Sequence, residues 1–204
     1  IIALKKLEKE YHSLITLDDK KELYLQKRTE FNELNNDSFE KAVLLIFLNK
    51  TCFNGMYREN SKGGFNVPFG KHEKPTICDE LNLLAVSDVL KHVTITHSSY
   101  EVLTSRAKPG DFIYFDPPYH PLNTTSSFTS YQAGGFSAED QRKLRDEYKR
   151  LSDLGCKVML SNSDAPLIND LYKEFKIQKI YAARAINSKG DGRGKILEVL
   201  VTNY

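Results

Sequence analysis

Phe112-Ile113-Tyr114-Phe115-Asp116-Pro117-Pro118-Tyr119 is the stretch on which the fold turns. Four apolar, β-favouring residues run directly into a carboxylate and two prolines, so a strand over 112–115 has to stop at Asp116. Pro109-Gly110 bounds its start. Beyond it, residues 137–154 carry apolar residues at helical spacing among many charges. They open on Ser137-Ala138-Glu139-Asp140, a capping-box-like start, and Gly155 marks the end. Lys157-Val158-Met159-Leu160 reads as the next strand, and a helix is expected near Ala165–Phe175. Ile177–Ala183 and Leu197–Thr202 are further strand candidates, parted by a polar, glycine-containing loop. On the other side, Val93-Thr94-Ile95-Thr96 reads as a short β-branched strand. Strands alternating with helices predict an α/β fold with a largely parallel sheet covered on both faces.

The preceding half is helical in pattern. Ile1, Leu4, Leu7, Tyr11 and Leu14 fall at helical spacing, and residues 18–34 continue with Leu23, Leu25, Phe31 and Leu34 as buried positions. Asp37 or Ser38 is the expected N-cap of a helix running to about Asn49. Residues 50–75 change character. They hold Gly55, Gly63, Gly64, Gly70, Pro68 and Pro75 with Asn54, Asn60 and Asn66, the punctuation of a hairpin or ordered loop. Helical signal returns from about Cys78 to Leu90.

Composition narrows the class. With 204 residues, 40% of them hydrophobic and 27% charged, the chain is neither disordered nor fibrous. Its longest strongly apolar stretch, 43–48, falls far short of the roughly 20 residues that span a bilayer. Charges begin at Lys5 with no cleavage-like small-residue site after them, so no signal peptide is expected, and the scattered cysteines make a reducing cytoplasm the default expectation. Cys52, Cys78 and Cys156 show neither metal-ligand nor disulfide spacing, and His72, His92, His97 and His120 show no metal or triad spacing. No metal is expected. A formal charge of +2 does not by itself point to nucleic acid. Locally, Lys50, Arg58, Lys62, Lys71 and Lys74 outnumber Glu59 and Glu73, a modest basic patch that a solvated loop would also show.

Asp116-Pro117-Pro118-Tyr119 stands where open α/β sheets bind ligands, at the carboxyl end of a strand. Its residue types suit methylation of an exocyclic amine. Such an amine is a poor nucleophile because its lone pair is delocalised into the ring. A carboxylate and a proline-fixed carbonyl can each accept one amine hydrogen and aim the lone pair at a methyl donor. Tyr119 offers a flat face for an extruded base. Asp-Pro-Pro is also ordinary turn chemistry, and the tetrapeptide alone leaves that reading open.

Several motifs in order resemble the Dam-like DNA adenine N6-methyltransferases, over nearly the whole chain. The tetrapeptide matches that family's motif, and residues 49–70 are similar to its DNA-reading hairpin, ending in Phe65-Asn66-Val67-Pro68-Phe69-Gly70. Ser99-Tyr100 resembles the segment lining the cofactor adenosine. Leu160-Ser161-Asn162-Ser163-Asp164 resembles the strand end beyond the catalytic one, and 184–198, with Arg193-Gly194-Lys195 and Glu198, the C-terminal motif.

The resemblance implies an S-adenosylmethionine-dependent methyltransferase: a Rossmann-like mixed sheet at 91–204, and a mainly helical DNA-recognition domain at 1–90 with its hairpin near 50–75. Asp116 and the Pro117 carbonyl would hold the N6 amine of a flipped adenine in duplex DNA, with Tyr119 stacked on the base. Ser99, Tyr100, Asp116 and Pro118 would contact the cofactor. Arg58 would read a guanine in the major groove. Met56 and Pro68 would pack against base edges, Phe53 and Asn54 would support the gap left by the flipped base, and Lys62 and Lys71 would meet phosphates. Met56 and Pro68 equally suit a loop's own packing, and Phe128, Tyr131 and Phe136 suit either a DNA wall or the small core of a lid. GATC is the target the hairpin implies, and a monomer the expected state. Orphan, restriction-modification and phage-borne members fit alike. The family also carries a Phe-x-Gly-x-Gly loop and an acidic residue upstream of the region resembling 1–14, whereas the first glycine here is Gly55. The stretch given is therefore expected to lack a cofactor-binding segment and to bind cofactor poorly. Methylation of RNA adenine or of cytosine N4, and a non-catalytic DNA-binding remnant, are the rival readings.

Overall fold

Ser137 caps the helix that follows the Asp-Pro-Pro-Tyr motif, and it does so reciprocally with Asp140. The Asp140 amide donates to Ser137 Oγ at 3.2 Å, and the Ser137 amide donates to Asp140 Oδ2 at 2.9 Å. Such a cap contributes about 1 kcal/mol. The structure, a computed structural model, describes residues 1–122, 136–183 and 195–204. Its described residues form two compact units, Ile1–Ile95 and Thr96–Tyr204.

The first unit is built on α1 (Ile2–Ser13), α2 (Leu17–Glu33) and α3 (Phe39–Thr51), followed by an irregular segment and α4 (Glu80–Leu90). Ser38 is the N-cap of α3. Leu4, Leu7, Tyr11, Leu23, Phe31, Leu44, Phe47 and Leu48 close on one core, which Phe65, Val67 and Ile77 of the irregular segment complete. Leu25, expected to be buried, is 37% exposed, while Lys20 and Tyr24 of the same helix are buried. The reason lies in what α2 faces. Lys20, Tyr24, Arg28 and Asn32, spaced four apart and so on one stripe, all hydrogen-bond to backbone groups of residues 65–73. Three residues of α1 do likewise: Glu8 Oε1 accepts from the amides of Ile77 and Cys78, Tyr11 donates to the His72 carbonyl, and the His12 ring bonds the Pro75 carbonyl. A segment with so little regular structure must satisfy its backbone elsewhere, and here helix side chains do it.

The expected strand at Val93–Thr96 does not form. Val93 and Ile95 are 50% and 76% exposed, and no backbone hydrogen bond joins 94–98 to another described residue. β-branched composition favours an extended chain but supplies no ladder partner.

The second unit contains α5 (Tyr100–Thr104), β1 (Phe112–Phe115), α6 (Ala138–Leu154), β2 (Lys157–Ser163), α7 (Pro166–Leu171), β3 (Lys176–Ala183) and β4 (Lys195–Thr202). Strand order is β1-β2-β4-β3. β1 runs parallel to β2 with Phe115 opposite Leu160, while β4 is antiparallel to both β2 and β3. The sheet is thus mixed rather than largely parallel, because β4 lies between β2 and β3 and runs antiparallel to both. The α7 helix is shorter than the 165–175 expected. It ends where Tyr172 turns inward against Tyr148, ring centroids 5.3 Å apart, and Phe175 closes on Tyr148 at 4.7 Å. Gly155 ends α6 in the left-handed conformation, φ +94°, which a side chain rarely adopts. Val158, Leu160, Val199 and Val201 meet Leu144, Tyr148 and Leu151 of α6 in this unit's core.

Candidate active site

Because β1 and β2 are parallel and in register, their carboxyl ends lie side by side, and Asp116 leaves β1 next to Ser161 of β2. Ser161 Oγ donates to Asp116 Oδ1 at 2.9 Å and is itself bonded to the Tyr114 hydroxyl at 2.8 Å. Asp116 is exposed. One of its oxygens is therefore oriented by the sheet, and Oδ2 has no donor among the described residues. Pro118 is exposed, while Pro117 and Tyr119 are half-buried. The Pro118 carbonyl accepts from Gln141 Nε2 at 2.9 Å, whereas the Pro117 carbonyl meets no donor among the described residues. Burial, opposed by a hydrogen bond from Ser161, raises the Tyr119 hydroxyl above its usual value of 10.0. The phenol stays protonated at neutral pH.

Ser99 is the residue before α5, and Tyr100 opens that helix. The Tyr100 ring packs edge-on against Phe115 at 6.1 Å, beside the residue that carries Asp116. Burial first, and then Glu101, pushes its hydroxyl up to about 12. Ser99, Tyr100, Asp116 and Pro118 fit a sulfonium cofactor in kind: an exposed carboxylate to face a cation, an aromatic wall and a hydroxyl.

The hairpin belongs to the first unit. Glu59 bridges Phe65, the Asn66 amide donates to the Arg58 carbonyl at 2.9 Å, and the Asn60 amide donates to the Gly64 carbonyl at 2.8 Å. The tip is an Asx turn: Asn60 Oδ1 accepts from the amides of Lys62 and Gly64, and Gly63 sits at φ +79°. Lys62 is exposed at that tip. Arg58 is half-buried; its Nε donates to Asn66 Oδ1 at 2.7 Å and Nη2 to the Asn66 carbonyl at 3.0 Å. The end-on Nη1/Nη2 edge keeps its donors. Phe53, 47% exposed, starts a single 3-10 turn, and Asn54 follows in the left-handed region at φ 54°. Asn49 Nδ2 fixes the turn through the Gly55 carbonyl at 2.6 Å. Pro68 is exposed, and Met56 is half-buried against the helical core.

Phe136 packs against the second core. Phe128 and Tyr131 lie outside the described residues, as does the motif over 184–194. Sequence reasoning assigned no role to Gln141, Ser161 and Asn162, which hold the tetrapeptide, or to Asn66, which orients Arg58. Gln141 carried a signal: it shares the buried stripe of Leu144, Tyr148 and Leu151.

Among the described residues there is no cluster of metal-ligating side chains and no helix long and apolar enough to cross a membrane. A family model described as D12 class N6 adenine-specific DNA methyltransferase matches residues 3–186. The type II methyltransferase M.MjaIII of Methanocaldococcus jannaschii is 46% identical over 196 residues, which is 93% of this chain and 68% of that protein. M1.LlaDCHI, a type II methyltransferase of Lactococcus lactis, is 44% identical over 92% of this chain and 68% of its own length. The DNA adenine methylase of Escherichia coli K12 is 36% identical over 88% of this chain and 64% of its own length. The chain spans about two thirds of the length of these relatives.

Proposed function

The chain belongs to the D12 class of N6 adenine-specific DNA methyltransferases, and on that premise we propose that it moves the methyl group of S-adenosylmethionine to N6 of an adenine flipped out of duplex DNA, within GATC. The observation that carries this reading is the pair of acceptors at the end of β1. Asp116 offers Oδ2 while Ser161 orients Oδ1, and the Pro117 carbonyl stands two residues from β1 with no described donor. Each accepts a hydrogen bond from one N–H of the amine, and together they turn the nitrogen lone pair outward. Tyr119 stacks on the base, its phenol protonated. When bound, the cofactor supplies a methyl carbon already activated on a sulfonium. Ser99, Tyr100, Asp116 and Pro118 would hold it. Catalysis is then chiefly positioning and charge placement.

Residues 1–90 act as the DNA-recognition domain and 91–204 as the catalytic domain in this reading. Target choice rests with the hairpin. Asn66 occupies the side-on edge of the Arg58 guanidinium, which leaves the end-on edge as a two-donor fork for guanine O6 and N7. Pro68 faces a neighbouring base edge, Met56 packs behind it, and Phe53 and Asn54 support the vacated stack. Lys62 meets phosphate. The enzyme acts as a monomer.

The test is mapping of labelled methyl groups on random duplexes. N6-methyladenine confined to GATC is expected. Another consensus would overturn the target, and methylation of cytosine N4 or of RNA alone would overturn the substrate.

A further inference from the structure

Gln141 and Leu144, Tyr148 and Leu151 line the one stripe of α6 that is buried, and Gln141 is as fully enclosed as its apolar neighbours. An amide at a core position is costly unless each of its groups finds a partner. Its partners form a closed circuit. Gln141 Nε2 donates to the Pro118 carbonyl at 2.9 Å, and Gln141 Oε1 accepts from Asn162 Nδ2 at 3.1 Å. Asn162, also 0% exposed, accepts on Oδ1 from the His120 amide and from its own neighbour Ser163, both at 2.9 Å. The direction of this run is forced from both ends. The Pro118 carbonyl can only accept and the His120 amide can only donate, so turning either side-chain amide over would set acceptor against acceptor or donor against donor. Both ends lie on the catalytic loop, one residue before Tyr119 and one after it.

We propose that Gln141 and Asn162 are positioning residues for methyl transfer: a buried amide pair that clamps the backbone on either side of Tyr119. The clamp has two effects on the acceptors. It occupies the Pro118 carbonyl, so that this oxygen does not compete with the Pro117 carbonyl for the amine. It also fixes the far end of a loop whose near end is fixed by β1, so Asp116 and Tyr119 keep their spacing. This role rests on the reading of Asp116–Tyr119 as the methyl-transfer site.

Replacement of Gln141 by glutamate puts the clamp under pH control. Ionised, the carboxylate faces the Pro118 carbonyl with a second acceptor. Protonated, it offers one O–H to that carbonyl and one C=O to Asn162, and burial raises the pH at which it protonates. The full chain is assayed on duplex DNA, with kcat, KM for DNA and the pH profile measured for the parent, Gln141→Glu, Gln141→Met and Asp116→Ala. For Gln141→Glu at pH 8, kcat is expected to fall about 100-fold with KM for DNA unchanged, and to recover relative to the parent as pH falls. Gln141→Met is expected to lose kcat at every pH. A Gln141→Glu variant with parental kcat at pH 8, a loss that shows no recovery, or a change in KM alone overturns the clamp. If Gln141→Met does not fold, the Gln141→Glu profile decides. A clamp readout independent of turnover is amide exchange at His120, expected to quicken about tenfold or more in Asn162→Ala; unchanged exchange also overturns it. Parental turnover by Asp116→Ala would instead sink the reading of the site itself.

Discussion

The hairpin at residues 57–66 and the loop from Asp116 to His120 are both short irregular segments tied down by side chains from regular elements, yet they are tied differently. The segment carrying the hairpin is gripped by its backbone: Tyr24 and Arg28 reach the Val67 carbonyl, and Asn32 bonds both the amide and the carbonyl of Phe65. Tyr24 is fully buried, Arg28 half-buried and Asn32 exposed. Of the segment's own side chains, Phe65 and Val67 are buried in the core while Lys62 and Pro68 stay exposed. The loop from Asp116 to His120 is gripped by two fully buried amides, and the Asp116 side chain is gripped as well, through Ser161. The hairpin combines a fixed frame with exposed side chains, whereas in the loop individual atoms are held by desolvated amides, which hold them more tightly than half-exposed groups such as Arg28 do.

The largest departure from this contrast should come at Asp116. Asp116→Ala is expected to lower methyl transfer by about 1000-fold, the cost of losing a hydrogen-bonding group aimed at the reacting centre, while duplex binding in a filter or anisotropy assay stays within a few-fold. Next, the hairpin's frame can be broken without touching Arg58 or Lys62. A Cβ at Gly70 would stand 2.3 Å from the Cys52 carbonyl oxygen, a backbone atom with nowhere to go. Gly70→Ala should destabilise the first unit by about 1–3 kcal/mol, read from the urea midpoint, with DNA affinity lost in proportion. Arg58→Ala should leave folding alone and cost about 1–3 kcal/mol of discrimination at one guanine. Asn66→Ala should relax the same position by less, since it only orients the fork; methylation mapping on randomised duplexes separates the two. Lys62→Ala should weaken binding to all sequences alike and lower the slope of log affinity against log salt by about one.

The smallest effect expected is one of pH on the second unit. Burial holds the His120 imidazole below its ordinary 6.5, and its Nδ1 is enclosed without a described partner. The folded state thus binds its proton less readily than the unfolded chain. Stability from this source is complete above about pH 6.5 and declines as pH falls from there through the lower folded value. Urea unfolding across pH 5–8 should show that slope, and His120→Phe should flatten it.

What was legible in the sequence followed local chemistry. A strand ending on Asp-Pro-Pro, a helix opening on Ser-Ala-Glu-Asp and a hairpin marked by Asn60 and Gly63 are each dictated by residues near one another, and each forms. What escaped depends on partners distant in sequence. The strand expected at 93–96 required a neighbour, and the antiparallel return of β4 is decided by which strands it meets. Leu25 and Tyr24 are adjacent on α2, and only the segment at 65–73, some forty residues on, determines that the tyrosine is the one enclosed. Asn162 is a polar residue within a strand of otherwise mixed pattern, and nothing local distinguishes it from a solvent-facing one. Its burial is a product of α6 lying across β2.

The four-residue ladder on α2 has a consequence for how such proteins diverge. Lys20, Tyr24, Arg28 and Asn32 bond backbone carbonyls and one backbone amide rather than side chains. The exposed residues Glu59, Ser61 and Lys62 are therefore decoupled from that frame, whereas Met56 packs on the core and Arg58 and Asn60 hold the hairpin itself. Exchange of those three exposed residues, in a lineage or in the laboratory, can remake the outer surface of the hairpin while the helices beneath are inherited unchanged.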